Sequence, residues 1–378
     1  MAALTRADTS LLGRWWWTVD RWTLAALGTL AGFGMLLVLA GSPAVALRNG
    51  SDMFFFVRKQ AVFLPVALLL CMAVSLLPLR LLKMVALAGF LAAALLTAFT
   101  LVGGVEIKGA RRWISFPGGT LQPSEILKPC FAVVAAMLMA QGRITPGFPG
   151  TFIALGLLAC VLGLLKLQPD IGMAAIVLAT FFAQWFVAGL RLYWVALALG
   201  GVAGVAVSAY SFFPHVQSRV QRFLDPSSGD SYQITVALEA FANGGLFGRG
   251  PGEGRVKTIL PDAHADFVFA VAGEEFGLAL CLILVGLFAF IVLRGLARLC
   301  SETDQFAVLA GTGILTQFGL QAFVNMASTL HLIPTKGMTL PFISYGGSSV
   351  VALGLGMGFL LALTRRRSHG ESRSGAMT

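Results

Sequence analysis

Stretches of about 20 mostly apolar residues recur along the whole chain, near 22–41, 54–78, 81–103, 124–140, 150–166, 171–190, 192–213, 267–294, 305–330 and 345–364. Each is long enough to cross a hydrocarbon core of roughly 30 Å as a helix. The spacing predicts an all-α, polytopic membrane protein of about ten transmembrane helices. A tail at 1–21, a membrane domain over 22–364 and a basic, polar tail at 365–378 complete the division. The one long polar segment, 214–265, falls between the seventh and eighth runs and reads as an external loop. Composition agrees with this. Only 12% of the residues are charged, whereas a soluble domain carries about 25%.

The formal net charge is +10, yet no nucleic-acid-binding motif accompanies it. The basic residues punctuate the apolar runs instead, as expected for headgroup anchoring and an anionic substrate. Trp15, Trp16, Trp17 and Trp22 suit an interfacial aromatic belt, and 1–21 reads as a poorly ordered cytoplasmic tail. The five cysteines contain no CxxC pair and read as small buried hydrophobes. An even number of spans places both termini on one side. Arg80/Lys83, Arg143, Arg191, Arg294/Arg298 and the Arg365-Arg366-Arg367 tail mark that side as the cytoplasm. The polar clusters of unusual chemistry all fall on the opposite face, which points to a single polar site opening outward.

The most informative of these clusters is Leu260-Pro-Asp-Ala-His-Ala-Asp-Phe-Val-Phe-Ala270, followed by Gly273-Glu-Glu-Phe-Gly277. Asp262, His264 and Asp266 stand where the polar loop meets an apolar helix. A helix beginning near Asp266 would carry Glu274 on the same face about 12 Å deeper. A carboxylate at that border is a functional candidate, and it is equally suited to cap the helix. Glu125 and Lys128 share a helical face after Pro123. They read either as a self-neutralising pair or as the lining of a polar cavity. Asp170, after Pro169, is again a cap or a functional group. Arg111, Arg112, Lys257 and Lys336 are candidate anion binders. The glycine-dense segment 244–254 lacks the ending of a nucleotide loop and reads as turns that bring backbone close to a ligand or to the bilayer.

Taken in order, these stretches, with Gly109-Ala-Arg-Arg-Trp-Ile114, Gln122-Pro-Ser-Glu-Ile-Leu-Lys128, Phe223-Leu-Asp-Pro226 and the PTKGMTLPFISYGGSS run ending at Ser349, resemble the SEDS family of cell-wall polymerases over roughly residues 20–365. The last run is more similar to the family's division branch than to its elongation branch. The resemblance implies a ten-helix inner-membrane glycosyltransferase that polymerises lipid II into glycan strands at the periplasmic face of the division septum. It implies partnership with a class B penicillin-binding transpeptidase of the FtsI type and with regulators of the FtsQ/FtsL/FtsB type. The family's essential aspartate falls on Asp266, a general base toward the acceptor hydroxyl. Around it Arg111, Glu125, Lys128, Asp170, Lys257, His264, Glu274 and Lys336 are expected to bind or orient substrate. A divalent cation, Mg²⁺ or Mn²⁺, fits the resemblance, although no ligand cluster in the sequence marks a metal site. Ala265 stands where the family commonly has Thr, and Asp262 where it has Glu. A lipid II flippase and a non-catalytic division scaffold are the rival readings.

Overall fold

The computed structural model describes residues 10–107, 109–116, 119–191, 232–334 and 337–365, with scattered positions between 193 and 221. A short helix, α1 (Leu11–Thr18), precedes six apolar helices: α2 (Arg21–Arg48), α3 (Phe55–Ser75), α4 (Leu79–Gly103), α5 (Pro123–Ile144), α6 (Gly150–Leu167) and α7 (Ile171–Val187). Strands β1 (Val105–Ile107), β2 (Ala110–Phe116) and β3 (Gly119–Leu121) lie between α4 and α5. Further along the chain come α8 (Tyr232–Gly244), α9 (Val268–Cys300), α10 (Gln305–Thr329) and α11 (Gly347–Leu363). Seven of these helices are long and apolar enough to cross a membrane, and α7 and α11, each of 17 residues, are shorter but equally apolar. The expected span at 192–213 lies largely outside the described residues.

The helices sort by what surrounds them. α5 and α10 are mostly buried and form the centre, while α3, α4 and α6 turn most of their surface outward. Lipid tails are as apolar as leucine, so helix association here depends on close packing and buried hydrogen bonds. Glycine permits the closest approach. A Cβ at Gly354 of α11 would sit 2.3 Å from the Ala67 carbonyl oxygen of α3.

Two features depart from the sequence-based expectation. Residues 11–18 are a helix rather than a loose tail, with Ser10 capping Gly13 and the Trp15 indole donating to Ser75 Oγ at 2.8 Å. The second is the antiparallel β1–β2–β3 meander, turned at Gly109, whose φ of +76° suits a residue without a side chain.

Cross-contacts assign the two ends of the bundle. At one end Asp20 caps α2 and takes Arg294 from the far end of α9. Arg365 reaches Thr18 and the Ser75 and Leu76 carbonyls at the same end. At the other end lie the sheet, the Arg48 contact with Leu260, and every segment that carries Asp266 and its neighbours.

Candidate active site

Asp266 is half-buried and precedes α9 instead of starting it. The cap position belongs to Phe267, which makes no side-chain capping bond, so Asp266 stands one residue before the cap. The segment before it is a turn built on Asp262. Its φ is +51°, and its carbonyl accepts from the Ala265 and Asp266 amides at 2.9 and 3.1 Å. A short polar side chain tolerates that left-handed backbone better than a bulkier one, which gives Asp in place of Glu a local reason.

The loop from 337 to 346 braces this turn. Ser344 Oγ donates to the Ala265 carbonyl and accepts from the Leu340 amide, and the Tyr345 amide donates to the His264 carbonyl at 2.9 Å. Asn325 of α10 uses its Nδ2 to join the two strips, donating to the Asp266 carbonyl at 2.9 Å and the Met338 carbonyl at 2.6 Å. Gly337, exposed, lies against the catalytic candidate: a Cβ there would stand 3.1 Å from Asp266 Oδ2. His264 is buried, with its ring 4.1 Å from Phe56 and 5.4 Å from Tyr345, centroid to centroid. This aromatic stack fixes the turn from the α3 side.

Glu125 and Lys128 form the anticipated pair, 2.8 Å apart and almost wholly enclosed. The Lys128 ammonium also donates to Gln321 Oε1 at 3.1 Å. Gln321 in turn donates to the Thr339 carbonyl at 3.0 Å and to Ser349 Oγ. Gln317, Gln321 and Asn325 recur at i, i+4 and i+8 on α10 and make a polar ladder from the Lys128 carbonyl up to Asp266. That spacing was visible in the sequence as amides in an apolar helix, and it was the overlooked signal. Beside the Glu125–Lys128 pair is a cavity of about 20 Å³ lined by Gln317, Gln321 and Met357, room for one water.

Glu274 does not share an open face with Asp266. Its carboxylate is fully buried: Oε1 accepts from the Arg255 and Val256 amides at 2.8 and 2.9 Å, and Oε2 from the Lys257 amide at 3.3 Å. Glu275 pairs with the Lys257 ammonium and accepts from the Gly252 amide. The glycine-dense segment therefore packs onto α9, and it does so at a break. Gly277 has φ +74°, ψ −170° inside the helix. The loop supplies the missing partners, with the Arg249 and Gly250 amides donating to the Glu274 and Glu275 carbonyls and the Gly245 and Leu246 carbonyls accepting from Leu278 and Ala279. A broken helix at membrane depth persists only where freed backbone groups are satisfied again.

Asp170 does cap its helix, accepting from the Met173 amide at 3.1 Å, and it also pairs with Arg112 at 3.3 Å. The Arg112 guanidinium is further committed to the Gln168 and Pro169 carbonyls. Arg111 is exposed on β2, opposite Glu106 at 3.4 Å. Lys336 lies outside the described residues. Among the described residues no three His, Cys, Asp or Glu side chains gather as a metal-binding group.

A family model described as Cell cycle protein (FtsW/RodA/SpoVE) matches residues 21–369. The chain belongs to this family, the SEDS proteins. Among FtsW/RodA/SpoVE relatives, a Caulobacter vibrioides protein named probable peptidoglycan glycosyltransferase FtsW is 45% identical over 99% of this chain and 96% of its own length. A Geobacter metallireducens protein of the same name is 35% identical over 92% of this chain and 96% of its own. Among solved structures, a chain from work on the structural coordination of polymerization and crosslinking by a peptidoglycan synthase complex superposes with a TM-score of 0.76. It is 30% identical, covering 92% of this chain and 97% of that one. The rod shape determining protein RodA of Thermus thermophilus gives 0.67 at 28% identity, covering 93% and 99%.

Proposed function

We propose that this SEDS protein is a peptidoglycan glycosyltransferase of the FtsW type, joining lipid II units into β-1,4 glycan at the outer leaflet, with Asp266 as general base. The observation that carries the reading is Asp266 itself: a half-exposed carboxylate at the end of the bundle opposite Asp20, held on a turn by Asn325, Ser344 and the flanking carbonyls. A donor with an α-linked sugar and a β-linked product requires one inversion. Asp266 removes the proton from the acceptor 4-hydroxyl. The oxygen attacks C1 of the donor sugar opposite the diphosphate, the C1–O bond breaks, and the lipid diphosphate leaves with its electrons. A carboxylate is a weak base toward a sugar hydroxyl, so positioning and charge stabilisation supply most of the acceleration.

The cations divide by what already engages them. Lys128 and Lys257 are held by Glu125 and Glu275, and we assign them to the walls. Arg111 and Lys336 are the groups we assign to the diphosphate. Asp170, Glu125 and His264 shape and orient the site through the contacts above. Mg²⁺ or Mn²⁺ fits this donor set, because such an ion binds through one or two carboxylates plus substrate phosphates without an all-protein cage. Asp266 Oδ2, beside exposed Gly337, would hold it, and the ion would supply neutralisation of the leaving diphosphate. The synthase-complex neighbour supports a class B penicillin-binding partner. FtsQ/FtsL/FtsB-type regulators, a septal location and cytoplasmic termini belong to the same proposal.

The test is glycan polymerisation from lipid II by the purified protein with its transpeptidase partner, wild type against Asp266→Asn. Product is expected to vanish while folding and partner binding persist. Retained polymerisation would remove the base assignment. The flippase reading is less well supported: inward of Lys128, buried Gln184 donates to helix carbonyls at Ala132 and Leu309 and so belongs to the packing.

A further inference from the structure

Glu274 and Glu275 are the two most thoroughly buried acids near the site, and the mechanism above uses neither. Two adjacent carboxylates in the interior are costly unless their charge is met by donors. Here they are met, and by one short stretch of chain. Glu274 gathers three consecutive amides at 255, 256 and 257, while Glu275 holds the Lys257 ammonium and the Gly252 amide. The stretch they grip runs directly into Leu260, fully buried and held through its carbonyl by Arg48, and then into the Asp262 turn and Asp266. Both ends of the segment from 258 to 267 are thereby fixed to the same half-helix, 268–276. One end is fixed by chain continuity and the other by the carboxylates.

We propose that Glu274 is the positioning residue for Asp266: its carboxylate closes the catalytic turn into a ring and sets where the base stands. This rests on the reading of Asp266 as the base. The effect follows from geometry, since a misplacement of about 1 Å at a reacting group costs up to roughly 100-fold in rate. The Lys257 ammonium then serves the ring through Glu275 and does not meet the substrate.

The experiment uses full-length protein with its transpeptidase partner and varied lipid II. In Glu274→Gln one oxygen keeps its acceptor role, and an NH₂ group faces backbone donors. Polymerisation kcat per folded enzyme is expected to fall about tenfold with KM within about twofold of wild type. Thermal unfolding in detergent is expected to stay near wild type. Amide hydrogen exchange is expected to rise at 255–258 and to stay slow over 268–276. A second variant guards against misfolding: Gly254→Ala adds a methyl 2.8 Å from Glu274 Oε2 and removes no charge. It is expected to reproduce both the kcat loss and the local exchange. An unchanged kcat in both variants overturns the proposal, as does a raised KM at constant kcat, which would make Glu274 a substrate contact. Lys257→Met adds a check, because a KM increase without a kcat loss returns the ammonium to the substrate. Should Asp266→Asn stay active, the base assignment fails alone, and the exchange pattern of Glu274→Gln still reports whether the ring exists.

Discussion

Asp20 and Asp266 sit at opposite ends of the same bundle and have opposite surroundings. Asp20 is 2% exposed and saturated: Arg294 approaches it with two nitrogens at 2.7 and 2.8 Å, Arg298 at 3.5 Å, and Thr23 and the Trp22 amide also donate to it. Burial pushes its carboxyl up, but the Arg294 hydrogen bond and the charges of Arg298 and Arg294 outweigh that and hold it below the ordinary 3.8. Asp266 is half-exposed, stands outside any helix, and has its backbone carbonyl held by Asn325. A carboxylate committed to two guanidinium groups locks α2 to α9 and is closed to chemistry. One whose main chain is held while its side chain stays accessible can accept a substrate proton.

The comparison is tested most severely by Asp266→Asn. The amide keeps size and shape and loses basicity, so polymerisation should fall about 10³-fold, within the range for general-base removal. Melting in detergent should hardly change. Asp20→Ala should show the converse. Removing one partner of a fully buried pair costs about 3–5 kcal/mol, and the partly exposed arginines reduce this to about 2 kcal/mol here. Calorimetry should register the loss, and turnover of the folded fraction should persist. A large drop in turnover with Asp20→Ala, or in stability with Asp266→Asn, would erase the distinction.

The pH dependence sharpens it. Because the folded-state pKa of Asp20 is depressed, its stabilising effect is complete above the unfolded value of 3.8 and is lost as pH falls through the folded value. Stability attributable to the clasp should be flat near neutrality and decline below about pH 3.8. In an Asp20→Asn variant that decline should be smaller.

A subtler change probes the Asp266 end. Gly337→Ala places a methyl 3.1 Å from Asp266 Oδ2, tighter than ordinary contact, so the carboxylate must give way. Polymerisation should drop roughly tenfold, with stability within about 0.5 kcal/mol of wild type because the position is exposed. An unaffected rate would mean that the carboxylate tolerates displacement and that its placement matters less than its charge.

What could be read from the residues was whatever is local and periodic. Among the described residues the apolar runs gave the spans within a few residues, except that α2 and α9 continue to Arg48 and Cys300, past the expected ends at 41 and 294. The three-residue spacing gave the Glu125–Lys128 pair, and Asp170 after Pro169 gave a cap. What stayed hidden depends on chain segments meeting from afar. The break at Gly277 looks continuous in hydropathy, because apolar residues flank it on both sides, and only the loop at 245–250 reveals it. The Glu274 carboxylate is enclosed by the amides of residues 255–257, which helical periodicity alone could not foresee. The sheet at 105–121 is made of strands of three and seven residues, too short to register between two long apolar helices. Cysteines followed the apolar pattern only in part: Cys71, Cys130 and Cys281 are buried, and Cys160 and Cys300 are exposed.

The smallest expected effect concerns Arg111, the one proposed diphosphate contact among the described residues. Its pairing with Glu106 is long, at 3.4 Å, and both side chains are more than half exposed, so the pair itself adds little to stability. Arg111→Ala should therefore shift melting by less than about 0.5 kcal/mol. Its charge is worth more to an incoming diphosphate, for which a guanidinium offers two donors in one plane. If the contact is made equally in the bound substrate and in the transition state, KM for lipid II should rise roughly threefold at constant kcat. A loss in kcat alone would instead place the guanidinium on charge that develops as the C1–O bond breaks. Arg111→Lys separates the two cases, since a point charge restores attraction to the diphosphate but not the planar, two-donor geometry.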